Sequence, residues 1–393
     1  MDRPQLFLEE TASRRPELSE DLAALGELYH KKLWHEISVK LEELIATPRF
    51  QTDGVLIALY QNFIASFASH INLLKLAKFA VAASRQIPSS QEGADFLRDV
   101  ISGLENLGTP RAAAQPVLFL RMQVAQYQQA AGEMEAAKKA FDAGDRELEG
   151  LEGVDPTVSA AVYAVGMAHH KARQDYGGFY RAALRYLSYI RQEDLPAEER
   201  LALAVDVSLA ALLGEQVYSF GELLLHPIVE VLRDGSFAWL YDLLQAFNKG
   251  DIHTYDDLCV KHAAKLNAQP ALVQHERRLR EKITILSLIE LVSSLPPEAR
   301  TLSLEAIGQQ TKLPLDGVEF LLMKALALHL IEAVIDQVAG TVRVSWVQPR
   351  VLTMDQVQRL AGQLDAWADR VADVQRSLQE SAAGLIPVSS VAA

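Results

Sequence analysis

Residues 301–346 read TLSLEAIGQQTKLPLDGVEFLLMKALALHLIEAVIDQVAGTVRVSW, and this stretch decides the fold of the C-terminal part of the chain. Ser303 is placed to N-cap a helix, with Glu305 in its first turn, where a negative charge meets the positive helix end. Leu313-Pro314 predicts a tight turn. Asp316 is expected to cap the next helix, with Glu319 completing an Asp-x-x-Glu capping box. Two alternating runs follow: Ile331, Ala333 and Ile335 share one face of a strand, and Val342, Val344 and Trp346 share one face of a second. Gln337-Val338-Ala339-Gly340 is the hairpin loop between them. Upstream, Ile283, Ile285, Leu286, Leu288, Ile289, Leu291 and Val292 make a helix that is apolar all round and therefore buried, and Pro296-Pro297 ends it. Three helices and a two-stranded ribbon predict a winged helix. Its outer strand, with Thr341, Arg343 and Ser345 opposite the apolar trio, is expected to offer free backbone groups to a protein partner.

Working outward, the segment 353–380 carries Val357, Leu360, Leu364, Trp367, Val371, Val374 and Leu378 in alternating steps of three and four. That is a heptad seam over roughly three repeats. The flanking positions Ala361, Gln363, Ala368, Arg370, Gln375 and Ser377 hold almost no charged zipper pairs, and the two alanines widen the apolar face. A multi-helix bundle suits this pattern better than a two-stranded zipper. The remaining tail, 381–393, is weakly patterned and expected to be disordered.

Towards the N-terminus helical periodicity dominates. Leu56, Leu59, Tyr60, Phe63, Ile64 and Phe67 fall on one helical stripe, and similar stripes recur at 18–47, 71–87, 94–107, 116–131, 157–173, 179–192, 198–213 and 237–247. Up to about residue 270 no period-two alternation appears. Residues 132–140 have the turn glycine and small-residue spacing of a tetratricopeptide-like hairpin, without a strict 34-residue repeat. The expected architecture is mainly α: a right-handed, degenerate helical-repeat solenoid over 1–270, a winged-helix module over 271–352, and a bundle helix over 353–380.

The 393 residues carry 38 basic and 51 acidic side chains, a net charge of −13. This balance works against sequence-independent nucleic-acid binding and against docking on anionic membranes. Within 296–350 the bases Arg300, Lys312, Lys324, Arg343 and Arg350 face six acids, and the would-be recognition helix offers Lys324 and no Arg, so the winged helix is not expected to read DNA. No secretory leader is expected, and the apolar run 201–213 is interrupted and shorter than the ~20 residues a bilayer requires. A single cysteine, Cys259, excludes an internal disulfide and fits a reducing compartment such as cytosol or nucleus.

Templates for catalysis are missing. The sequence has no GxxxxGK[ST], GxGxxG or GxSxG, no HExxH and no His-x-His pair. His169 and His170 are adjacent, so on a helix they point about 100° apart and do not converge on one metal. Cys259 reads as a small packed side chain rather than a nucleophile. No catalytic residue, metal or cofactor is expected.

A helical repeat running into a winged helix and ending in a long helix resembles the layout of PCI-domain proteins. These are scaffold subunits of the proteasome lid, the signalosome and translation initiation factor three. Local strings are similar to the proteasome-lid branch: residues 29–34 (YHKKLW), 59–64 (LYQNFI), 179–187 (FYRAALRYL), 210–214 (AALLG), 220–228 (FGELLLHPI), 318–325 (VEFLLMKA) and 345–352 (SWVQPRVL). At the entry to the wing the family carries glycines near Leu-Gly-Leu-Ile-x-Gly. Here Leu328-His329-Leu330-Ile331-Glu332-Ala333 stands in their place, so this turn is expected to be shaped differently. The resemblance implies structural work without catalysis, in the cytoplasm and nucleus. It implies a horseshoe of PCI domains joined through their winged helices, a shared bundle of C-terminal helices, and an arm near the lid's ubiquitin receptor and deubiquitinase pair. Another PCI complex, or a winged-helix regulator of nucleic acid, stands as the alternative.

Overall fold

A computed structural model of the chain describes residues 3–50, 54–107, 109–191, 193, 195–296, 299–351 and 354–382. The tail expected to be disordered lies outside these residues beyond 382, and its first two residues continue the last helix. The chain divides into two compact units, one of 1–217, 227–240 and 265–279, the other of 218–226, 241–264 and 280–393. The units interleave along the chain, so no single position near 270 separates them.

Eleven of the described helices lie within the first of these segments: α1 (Arg3–Arg14), α2 (Ser19–His30), α3 (Trp34–Ala46), α4 (Val55–Asn62), α5 (Leu73–Ser84), α6 (Ser90–Leu107), α7 (Pro110–Ala130), α8 (Met134–Gly150), α9 (Pro156–Ala172), α10 (Tyr176–Tyr189) and α11 (Ala197–Leu213). No strand occurs among the described residues there. From α6 onward each helix packs on the next, and α5 and α9 also reach α7. This is the behaviour of hairpins that bury their apolar stripes on their neighbours. In α9, for example, Val158, Val162 and Val165 are fully buried, each contributing about 1.5–3 kcal/mol.

The helices stop for a recurring reason. Lys32 after α2 (φ 54°) and Gln174 after α9 (φ 56°) lie in the left-handed region. In each case the next N–H reaches back five residues, Leu33 to the Leu28 carbonyl and Asp175 to the His170 carbonyl. Such a bond satisfies a carbonyl left open at the helix end and turns the chain sharply. Gly132 (φ 88°) does the same after α7 without the Cβ penalty.

The chain continues through α12 (Gly221–Leu225), α13 (Ala238–Lys249), α14 (Ile252–Lys261), α15 (Ala263–Asn267), α16 (Pro270–Gln274) and α17 (Glu276–Ser293). Then come β1 (Thr301–Ser303), α18 (Leu304–Thr311), α19 (Leu315–Ala327), β2 (Ile331–Asp336), β3 (Thr341–Val347) and α20 (Met354–Ala382). Helices α17, α18 and α19 with the sheet form the winged helix. Its core joins Ile285, Leu288 and Val292 of α17 to Ile307, Leu322 and Val342. Ser303 caps α18 as expected, accepting from the Ala306 N–H. The cap of α19 is Pro314, not Asp316, which lies in the first helical turn.

The wing differs from its sequence reading in three ways. It has three strands in the order β1-β3-β2, all antiparallel. The strand expected to be outermost, Thr341–Trp346, is therefore central: Thr341 pairs with Ser303, Arg343 with Thr301, and the Val344 N–H donates to the Arg300 carbonyl. Second, the ladder slips between Glu332 and Ala333, which pair with Trp346 and Val344, leaving Ser345 as the extra residue of a bulge. Val342 and Val344 are buried, but Trp346 turns outward and Val347 packs on the core in its place. Third, the turn into the wing keeps a glycine-like shape. His329 has φ 53°, with bonds from its own N–H to the Leu326 carbonyl and from the Leu330 N–H to the Ala325 carbonyl.

Candidate partner-binding surfaces

The seam of α20 faces solvent along its whole length. Val357, Leu360, Leu364, Trp367, Val371, Val374 and Leu378 range from 42% exposed at Val357 to 66% at Trp367. Every α20 side chain whose burial is described is exposed, so none of the described residues covers the seam. Seven large apolar groups thus lie exposed on one stripe of a 29-residue helix.

At the wing, Thr341 is half-buried, and Arg343 and Ser345 are exposed. All three sit on the central strand, and the Ser345 hydroxyl donates to the Glu332 carbonyl across the bulge. The longer backbone edge left open is that of β2, Ile331–Asp336, together with Ser345–Val347 of β3 beyond the short β1. The outward face beside that edge carries Val334, 72% exposed and paired with Arg343, and Trp346.

Helix α19 adds a surface that the sequence did not disclose. Leu315, Phe320 and Met323 are exposed, with Asp316 exposed and Glu319 half-buried beside them. Its base Lys324 is engaged by Glu281 of α17. The exposed face is thus apolar and acidic, which a phosphate backbone would not favour. The run 318–325 is apolar nearly all round, so periodicity could not separate its exposed members from its buried ones.

Elsewhere the polar groups serve the fold. His170 Nδ1 lies 2.9 Å from Asp175 Oδ2, and the same carboxylate caps α10 through the Gly178 N–H. That backbone bond, with the His170 ring, holds the Asp175 carboxyl below its usual range. His169 is buried, and burial pushes its imidazole below the ordinary value, with His170 adding to the effect. A groove of about 400 Å³ runs beside Gln174, Arg181, Gln216 and Arg278, but Arg278 is paired with Glu215 at 2.6 Å. Cys259 lies half-buried on α14. Among the described residues, no three His, Cys, Asp or Glu side chains gather as metal ligands, and no helix is long and apolar enough to cross a membrane.

Comparison with known families matches residues 21–244 to the PSD13 N-terminal repeats and residues 259–346 to the PCI domain. The 26S proteasome non-ATPase regulatory subunit 13 homolog A of Arabidopsis thaliana is 46% identical over 380 residues, 97% of this chain and 98% of the relative. The chain belongs to the 26S proteasome non-ATPase regulatory subunit 13 family. The Dictyostelium discoideum member is 32% identical over 98% of this chain and 99% of its own length. By contrast, the eukaryotic translation initiation factor 3 subunit M of Emericella nidulans is 28% identical over 45% of this chain and 40% of the relative. The matched PCI region of this family member ends at 346, before the exposed seam begins.

Proposed function

We propose that this chain is a non-catalytic scaffold subunit of the 26S proteasome regulatory-particle lid, supporting ATP-dependent degradation of ubiquitinated proteins in cytoplasm and nucleus. The observation that carries the reading is the solvent-facing seam of α20 on a chain of this family. The seam enters a bundle with helices of other lid subunits, where each of its seven residues could gain roughly 1.5–3 kcal/mol on full burial, offset in part by ordering. The winged helix joins a neighbouring PCI domain through the open edge of β2 and the outward face bearing Arg343 and Ser345, with Thr341 at its margin. The helical arm lies near the ubiquitin receptor and the deubiquitinase subunits. Neither nucleic acid nor membrane is a partner, and the chain itself hydrolyses neither ATP nor peptide nor ubiquitin bonds. Full-length relatives carry the regulatory-subunit name at high coverage, whereas the initiation-factor likeness is partial, which favours the lid over another PCI complex.

The deciding experiment is lid reconstitution with Leu364→Asp and Trp367→Asp together. Two carboxylates in the seam should leave the far-ultraviolet circular dichroism of the subunit unchanged and abolish its co-purification with a complete lid. Full incorporation would remove α20 as the assembly element.

A further inference from the structure

The chain's path into α20 is pinned. Arg350, three residues past the end of β3, keeps only 16% of its side chain exposed. Its Nη1 donates to Glu290 Oε2 of α17 at 2.7 Å, and its Nη2 donates to the carbonyl of Asn248 in the last turn of α13. That carbonyl is one of the four that end a helix without an intrahelical donor. One residue later Val351 occupies the space a side chain at 221 would need: a Cβ on Gly221 would stand 2.4 Å from the Val351 Cβ. Two residues earlier the Gln348 N–H donates to the Leu330 carbonyl at 2.9 Å. The planar guanidinium suits this place, because two parallel donors meet two separate acceptors, which an ammonium on a flexible stem matches less well.

We propose that Arg350 is a positioning residue for assembly, fixing the root of α20 so that the seam and the wing edge engage their partners together. This rests on the reading of α20 as the assembly element. Three residue steps lead from Val351 to Met354, so the helix root stays within about 10 Å of the pinned segment. With Arg350 released and Val351 lifted from Gly221, freedom would begin at Gln348, and the limit would double to about 20 Å. The volume open to the root would rise about eightfold, and the effective concentration of the seam at its partner would fall by the same factor.

The test reconstitutes the lid with full-length chains in parallel. Arg350→Gln removes the ion pair. A three-residue Gly-Ser-Gly insertion between Leu352 and Thr353 keeps Arg350 and lengthens only the tether, from three steps to six, with the same limit of about 20 Å. The Leu364→Asp, Trp367→Asp chain removes the seam. Spin labels on α19 and α20 report the distance distribution in the isolated subunit. Arg350→Gln and the insertion should both broaden that distribution and require about eightfold more subunit for half-incorporation. Wild-type incorporation of Arg350→Gln overturns the proposal. So does a loss with Arg350→Gln that the insertion does not share, because the defect is then one of folding. If Arg350→Gln melts early, the insertion alone decides, by eightfold loss or by none. Full incorporation of the seam variant overturns instead the reading on which the proposal rests.

Discussion

Trp346 stands across the ladder from Glu332 on the outer face of the sheet, although its spacing from Val342 and Val344 points inward. The bulge at Ser345 makes the difference, because one extra residue exchanges the two faces from there on. Deleting Ser345 should remove the bulge yet leave Trp346 outward, opposite Glu332, and Val347 on the core, because the alternation from Val344 is then regular. A urea titration of the deletion variant should show a midpoint close to that of the wild type, with the fluorescence of Trp346 still that of an exposed indole; a lower midpoint with a buried indole would mean that the bulge does not set the register.

The strand order separates two proline-or-charge tests of the wing. Val344→Pro removes the N–H that donates to the Arg300 carbonyl and disturbs a buried side chain, so it should destabilise the winged helix itself by about 3 kcal/mol or more. Val334→Lys acts on the exposed edge strand and should change stability by less than about 0.5 kcal/mol. A lysine on an open edge discourages strand addition. Reduced incorporation of Val334→Lys at unchanged melting temperature is therefore the expected sign of an edge-mediated interface. Normal incorporation would move that interface to another face.

His329 holds a left-handed conformation that closes α19 through the Leu330 N–H. A side chain with a Cβ loses roughly 1–2 kcal/mol there, which glycine avoids. His329→Gly should thus stabilise the winged helix by about 1 kcal/mol, read as a higher melting temperature. A loss of stability would show that the imidazole makes a compensating contribution.

Which parts of this molecule were legible in advance follows from the range of the forces involved. Periodicity over a few turns located α9 and α11 within a residue or two and aligned the seven seam residues on one stripe, because those patterns are local. The Ser303 cap was legible for the same reason. Strand β1 was not, since three residues, Thr301–Ser303, are too few to show a period and are defined by pairing with β3 some forty residues on. The bulge likewise exists only in the pairing. The glycine-like turn at His329 was hidden by a residue that pays strain to adopt it. Arg350 gave no local sign, as its partners lie 60 and 102 positions away in sequence. Solvent exposure of Phe320 and Met323 was equally hidden within a run of core-like residues.

His169 predicts a pH dependence. Its Nδ1 is buried and has no hydrogen-bond partner among the described residues, and burial lowers its pKa, with His170, Arg173 and Lys138 adding and Asp142 opposing. Below the ordinary value of about 6.5 the unfolded chain binds a proton that the folded chain resists, so stability falls as pH falls. The decline ends once pH passes below the lowered folded value. His169→Leu should flatten this part of the curve just below about pH 6.5 without loss of stability at pH 7.5. An unchanged slope in thermal melts would assign the decline to other groups.

The exposed helix supplies the remaining prediction. Among the described residues α20 has its own hydrogen bonds and weak pairs such as Arg376 with Asp373, worth about 0.2–0.5 kcal/mol. Gly362 sits in its interior, with nothing within 4 Å of the place a Cβ would take. Ala fits there without strain and favours the helix by about 1 kcal/mol. Because no tertiary contact masks the change, the gain should appear directly as slower amide exchange across residues 358–370 in the free subunit. The same amides should exchange far more slowly in the assembled lid, where the seam is covered, and there the difference between Gly362 and Ala should shrink in proportion to the total protection. Protection of α20 that is already high in the free wild-type subunit, and insensitive to Gly362→Ala, would mean that the helix finds a covering surface on its own chain in solution.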